Sequence, residues 1–135
     1  MACPYFYPVA RFESSSWLVS PRLPLGDAYA GECRAGASAF QPDETRLRET
    51  CNLGYGRSVC DCFPQDATAD AVRFHVAKDS GGLIHIRYVF EKDCWPLQHG
   101  DLAWAETSRQ LSGSENAVLK SQAAAFLESY LKRRE

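Results

Sequence analysis

The stretch Ala71-Val72-Arg73-Phe74-His75-Val76-Ala77-Lys78-Asp79-Ser80-Gly81-Gly82-Leu83-Ile84-His85-Ile86-Arg87-Tyr88-Val89-Phe90-Glu91 decides the fold. Apolar Val72, Phe74 and Val76 alternate with Arg73, His75 and Ala77. Beyond the turn, Ile84, Ile86, Tyr88 and Phe90 alternate with His85, Arg87 and Val89. A period of two places alternate side chains on opposite faces of a strand. Residues 70–78 and 83–91 therefore read as a β-hairpin with one face turned to a core. The connection Asp79-Ser80-Gly81-Gly82 carries turn residues, and a three-residue Asp79-Ser80-Gly81 loop suits it, with glycine in the left-handed position.

Working outward, Leu102-Ala103-Trp104-Ala105 reads as a third strand of the same meander. Residues 114–133 read as an amphipathic helix, with Ser112 and Ser114 as caps and Glu115 near the start. Its apolar stripe is Leu119, Ala123, Phe126, Leu127, Tyr130 and Leu131, and Lys132, Arg133 and Arg134 suit its negative end. This helix is expected to cover the apolar face of the sheet.

Upstream, residues 42–53 read as a short helix. Pro42 fits the first turn, Asp43 and Glu44 suit the positive end, and Gly54 suits the position past the last turn. Leu47 and Cys51, four apart, share a face. Residues 1–40 read as irregular, because Pro4, Pro8, Pro21 and Pro24 remove donors and restrict their predecessors. Composition shifts near residue 66. The fold class expected is α+β in a single domain over residues 1–135. Its two halves are an irregular cysteine-bearing half (1–65) and a sheet-plus-helix half (66–135), the latter an antiparallel meander of three or more strands closed by the C-terminal helix.

The chain has 135 residues, 45% of them hydrophobic and 24% charged, enough to bury an ordinary core. A formal net charge of −2 supplies no basic footprint for nucleic acid. No apolar run approaches a transmembrane helix, and the N-terminus lacks the basic and apolar regions of a secretory signal. The expectation is a cytoplasmic protein with no nucleic-acid or membrane partner.

In that compartment six cysteines point to metal or redox chemistry rather than to disulfides. A removed leader would instead make them a three-disulfide framework. The spacing is Cys3-x29-Cys33-x17-Cys51-x8-Cys60-x-Cys62, with Cys94 far downstream. Structural zinc sites favour close pairs, two to four residues apart, and none occurs here. Thiolates spread one per segment suit an iron–sulfur cluster, which is larger than one ion and can be gripped from several loops. The expected ligands of a [4Fe–4S] cluster are Cys3, Cys33, Cys51 and Cys60. Cys62 stands in reserve for Cys60. Glycines at 31, 36, 54 and 56 would admit backbone N–H groups to the sulfurs. Cys94, beside Trp95 and far from the other segments, reads as a buried cysteine acting as a small hydrophobe.

Three functional classes follow: a small iron–sulfur protein for electron transfer, redox sensing, delivery to an unknown protein partner, or structure; a zinc-stabilised interaction module; and a thiol redox protein using Cys60 and Cys62. In the last, Asp61 opposes thiolate formation and Arg57 offsets it. On the hairpin, the expected loop puts His75 opposite His85 and Arg73 opposite Arg87. That face is either solvated or an anion site. No phosphate-binding loop, dinucleotide fingerprint, nucleophile elbow or metalloprotease motif is present, and Ser14-Ser15-Ser16 reads as a turn or cap.

Overall fold

Two turns of left-handed residues set the main sheet. In the computed structural model, which describes residues 2–11, 25, 29–36, 38–56 and 60–134, Gly81 and Gly82 stand at φ 64° and 80°, and Asp93 and Cys94 at φ 51° and 66°. Positive φ at both central residues is the geometry of the tight hairpin turn whose twist matches the strands it joins. The element order is β1 (Phe6–Arg11), β2 (Tyr29–Cys33), α1 (Glu44–Arg46) running on as a π-helical turn (Leu47–Cys51), β3 (Ala71–Ser80), β4 (Leu83–Lys92), β5 (Trp95–Ala105), β6 (Gln110–Ser112) and α2 (Ala117–Arg134). Strands β3-β4-β5-β6 form one antiparallel meander, and β1-β2 a separate antiparallel pair.

The hairpin exists, but its loop and register differ from expectation. Ser80 pairs with Leu83, so the connection has two residues, and a bulge falls between Val76 and Lys78. Two consecutive glycines need no third residue to reverse the chain. A two-residue turn alone would set Val76 against Arg87. The extra residue, Ala77, shifts the register so that Val76 meets Ile86 and Phe74 meets Tyr88. A one-residue slip flips every side chain, and the bulge restores the apolar set to one face. His75 therefore lies opposite Arg87, His85 opposite Lys78, and Arg73 opposite Val89.

The third strand is longer than its apolar segment. β5 begins at Trp95 and pairs with β4 throughout, so His99 lies in a strand rather than a turn. Its first half is exposed, with Trp95 at 75% and Leu97 at 50%. Without burial there is no alternation to read. Gly100 faces Tyr88, whose ring occupies the space a Cβ would take, its hydroxyl 2.4 Å from that position.

The C-terminal helix is present and starts three residues later than expected. Asn116 caps it, its Oδ1 accepting from the Leu119 N–H at 3.1 Å, while Ser114 Oγ accepts from the Asn116 N–H at 3.0 Å. Phe126 stacks on Phe74 of β3 at 5.7 Å between ring centroids. A second face of α2, Gln122, Ala125 and Ser129, is also buried. This face meets the N-terminal segment. The Tyr29 hydroxyl donates to the Ala125 carbonyl at 2.9 Å, and Ser121 Oγ donates to the Pro8 carbonyl at 3.0 Å. One buried cluster runs from Ala2, Phe6 and Tyr29 through Val72, Ile86 and Leu102 to Leu119 and Leu127.

The expectation of an irregular segment before residue 40 is corrected by the β1-β2 pair. Pro4 sits in the turn before β1. Pro8 sits at the bulge where β1 shifts register, a place where a missing N–H is tolerated. Pro21, Pro24 and the Ser14–Ser16 run lie outside the described residues. The 42–53 helix is corrected too. Pro42 lies before the helix rather than in its first turn, and Asp43 is the cap, its Oδ1 accepting from the Arg46 N–H at 2.8 Å. Only residues 44–46 are α-helical before the π turn takes over. No helix among the described residues is long and apolar enough to cross a membrane.

Candidate metal centre

The π turn is marked by one side-chain bond and one long backbone bond. Thr50 Oγ1 donates back to the Arg46 carbonyl at 2.9 Å, and the Asn52 N–H reaches the Leu47 carbonyl, five residues back, at 3.1 Å. Asn52 is fully buried. Its Nδ2 donates to the carbonyls of Tyr29 and Leu47 at 3.0 and 2.9 Å, and its Oδ1 accepts from the Tyr29 N–H at 3.1 Å. Asn52 thus pairs with β2 much as a strand residue would. It ties the helix end, and with it Cys51, to the strand that ends in Cys33.

Cys3 is fixed from three sides. Its N–H donates to the Cys51 carbonyl at 3.0 Å, and its carbonyl accepts from the Phe6 N–H at 3.1 Å. Next to it, Ala2 and Val72 exchange both backbone hydrogen bonds, at 2.7 and 2.8 Å. From the other side of the molecule, Gln122 Nε2 donates to the same Cys3 carbonyl at 2.6 Å. Cys33 closes β2 and bridges to Phe40. Cys60 opens a turn, its N–H donating to the Gly56 carbonyl at 2.6 Å and its carbonyl accepting from the Phe63 N–H at 3.2 Å.

These four segments converge. Cys3, Cys33, Cys51, Cys60 and Cys62 all line one cavity, closed by apolar groups that include Phe6 and Phe63. The centre of a water-sized sphere can range over about 20 Å³ of it. Gly56 is the only glycine of the expected set on its wall, with Cys60 and Thr50 each 3.3 Å from where its Cβ would be. Gly31 serves the strand pair, its Cβ position falling 2.1 Å from the Tyr7 carbonyl oxygen. Gly54, at φ 79°, ends the helix.

All six cysteines are free thiols. Burial pushes the Cys3 thiol up to about 12, opposed by a hydrogen bond from the Tyr5 backbone and reinforced by Cys51, Cys33 and Cys60 nearby. Burial likewise pushes Cys51 up to about 12. Thiols gathered in an apolar cavity hold their protons until a cation replaces them.

The dimensions bear on which cation. A tetrahedral zinc shell, with sulfurs about 2.3 Å from the metal, sets them about 3.8 Å apart and leaves no room for a water-sized sphere. Among the described residues, the only three ligand atoms mutually within 4.8 Å belong to Cys60, Asp61 and Cys62. No three of Cys3, Cys33, Cys51 and Cys60 approach so closely. A cubane interposes its own iron and sulfide atoms, so its four thiolates stand farther apart than on one ion. The wider set lies beyond the spacing of a single-ion shell.

At the cavity mouth, Arg46 Nη2 contacts Asp61 Oδ1 at 2.6 Å, and the Cys62 thiol donates to the same oxygen at 3.6 Å. Desolvation, then the Asp61 carboxylate, push the Cys62 thiol upward. Arg57 lies outside the described residues.

The hairpin face holds its cations in ion pairs. Arg73 Nε meets the buried Glu91 carboxylate at 2.5 Å, and Arg87 Nε meets Asp101 at 3.0 Å. With the corrected register, the Arg73–Arg87 and His75–His85 cross-strand pairs expected on that face are not formed. Glu91 also accepts from the Tyr55 hydroxyl at 3.0 Å, which in turn accepts from the Cys94 N–H at 2.9 Å. Cys94 lies outside the cysteine-lined cavity and, contrary to the expectation of a buried small hydrophobe, is exposed, because it sits at the second position of the tight turn between β4 and β5.

Asn52 and Gln122, which position Cys51 and Cys3, carry no signal in the sequence, since a polar residue reads the same buried or solvated. No protein-family model, curated protein or solved structure matches the chain.

Proposed function

We propose that this chain is a small cytoplasmic iron–sulfur protein that holds a [4Fe–4S] cluster on Cys3, Cys33, Cys51 and Cys60 and acts in electron transfer or redox sensing. One observation carries the reading: thiols from four separate segments line a single apolar cavity, spaced more widely than one metal ion requires. An apolar wall limits solvent at a cluster and so contributes to its potential. Binding energy at such a centre is also folding energy, because the cluster would join segments that secondary structure joins only in part.

Cys51 provides the test, as the ligand best fixed by local structure. Cys51→Ser is expected to lose iron and sulfide together, and Cys94→Ser to retain both. Full iron occupancy in Cys51→Ser would remove it from the ligand set.

A second reading rests on the close approach of Cys60, Asp61 and Cys62. A single zinc ion there would use both thiolates and take Asp61 from Arg46. One zinc per chain, no sulfide, and unchanged zinc in Cys51→Ser would favour it, and with it an interaction module.

A further inference from the structure

Five thiols line a cavity whose cluster takes four. The fifth, Cys62, is held apart from the ligand role by its contact with Asp61, itself anchored on Arg46. It nonetheless stays beside the fourth ligand, with the Cys60 and Cys62 sulfurs within 4.8 Å of each other. The two occupy one exposed-edged turn, where Cys62 is half-buried and Asp61 exposed. Residues two apart in a turn fall within the Cα separation, about 4.4–6.8 Å, that a disulfide spans.

We propose that Cys62 is a peroxide-reactive thiol, which on oxidation joins Cys60 in a disulfide, withdraws the fourth ligand and releases the cluster. This rests on the cluster assignment and gives the redox-sensing role its device. The Cys62 thiol passes its proton to the Asp61 carboxylate it already faces as its sulfur attacks one peroxide oxygen, the O–O bond breaks, and a sulfenic acid and one water result once the leaving hydroxide takes that proton. The Cys60 sulfur then leaves iron and attacks the sulfenic sulfur, forming the S–S bond and expelling a second water. The Cys62 thiol and the iron-bound Cys60 thiolate give up two electrons, one proton comes from the Cys62 thiol and one from solvent, and one hydrogen peroxide becomes two waters. A dithiol reductant reverses the protein step by exchange, after which iron and sulfide can rebuild the centre. Cys94, exposed and outside the cavity, takes no part.

The test uses the full chain, purified without oxygen and titrated with hydrogen peroxide. Iron release, visible absorbance and the mass of the peptide holding residues 60–62 are followed together. The expected result is iron release in step with a Cys60–Cys62 disulfide, undone by dithiothreitol with added iron and sulfide. Cys62→Ser and Cys62→Ala, read side by side against loss of either fold, should keep full iron and release it about fivefold more slowly. Cys94→Ser should match the parent protein. Release from both Cys62 variants at the parent rate, or release with Cys62 still a thiol, would overturn the proposal. A parent protein without iron and sulfide before any peroxide is added would instead overturn the cluster assignment, and the release step with it.

Discussion

Gln122 Nε2, on the C-terminal helix, donates to the Cys3 carbonyl at 2.6 Å and to the Phe6 carbonyl at 2.7 Å. A fully buried amide thus clamps the turn that carries a proposed cluster ligand. The helix that covers the sheet is also the support of the cysteine-bearing segment. Gln122→Leu removes both donors, leaving the Cys3 carbonyl only its bond from the Phe6 N–H, so it should cost about 2 kcal/mol in denaturant unfolding. It should also lower iron per chain, which a purely local packing defect would leave unchanged.

Tyr55 reports on pH. Its phenol is raised above the usual tyrosine range, first by desolvation and then by the side chains of Glu91 and Cys94, against the opposing hydrogen bond from the Cys94 N–H. A folded-state value above the unfolded one adds stability in full below about pH 10, lost as pH rises through the folded value. Tyr55→Phe should therefore cost about 1–2 kcal/mol near neutrality. The gap between parent and variant should narrow above pH 10, and a gap constant with pH would contradict the assignment.

The Asp93-Cys94 turn holds two non-glycine residues at positive φ. Asp-Gly is the sequence such a turn favours. Cys94→Gly should stabilise the protein by about 1 kcal/mol by relieving the left-handed strain. Its iron content should be unchanged. Thermal unfolding and metal analysis on one preparation check both.

The sheet and the long helix were legible because their apolar residues keep period. Val72, Phe74, Ile84 and Ile86 alternate, and Leu119, Ala123 and Leu127 recur at helical spacing. The register was not legible, because it depends on whether Gly81 and Gly82 both turn and on the single extra residue Ala77. β1 was hidden by Pro4 and Pro8, which argue against a strand until one sits in the preceding turn and the other at a bulge. The helix over 42–53 was overcounted because it runs into a π turn, where Thr50 and Asn52 bond backward.

The cysteines themselves were visible as candidates, but their convergence was not. Spacings of 29, 17 and 8 residues give no geometry. Convergence depends on Asn52 joining Cys51 to β2 and on Gln122 holding Cys3 from the far end of the chain.

Metal and acid-labile sulfide content per chain, after purification without oxygen, tests the central claim most directly. The account predicts about four irons and four sulfides, the content of a cubane held by four thiolates. A chain with neither iron nor sulfide, or with one zinc and no sulfide, would contradict it.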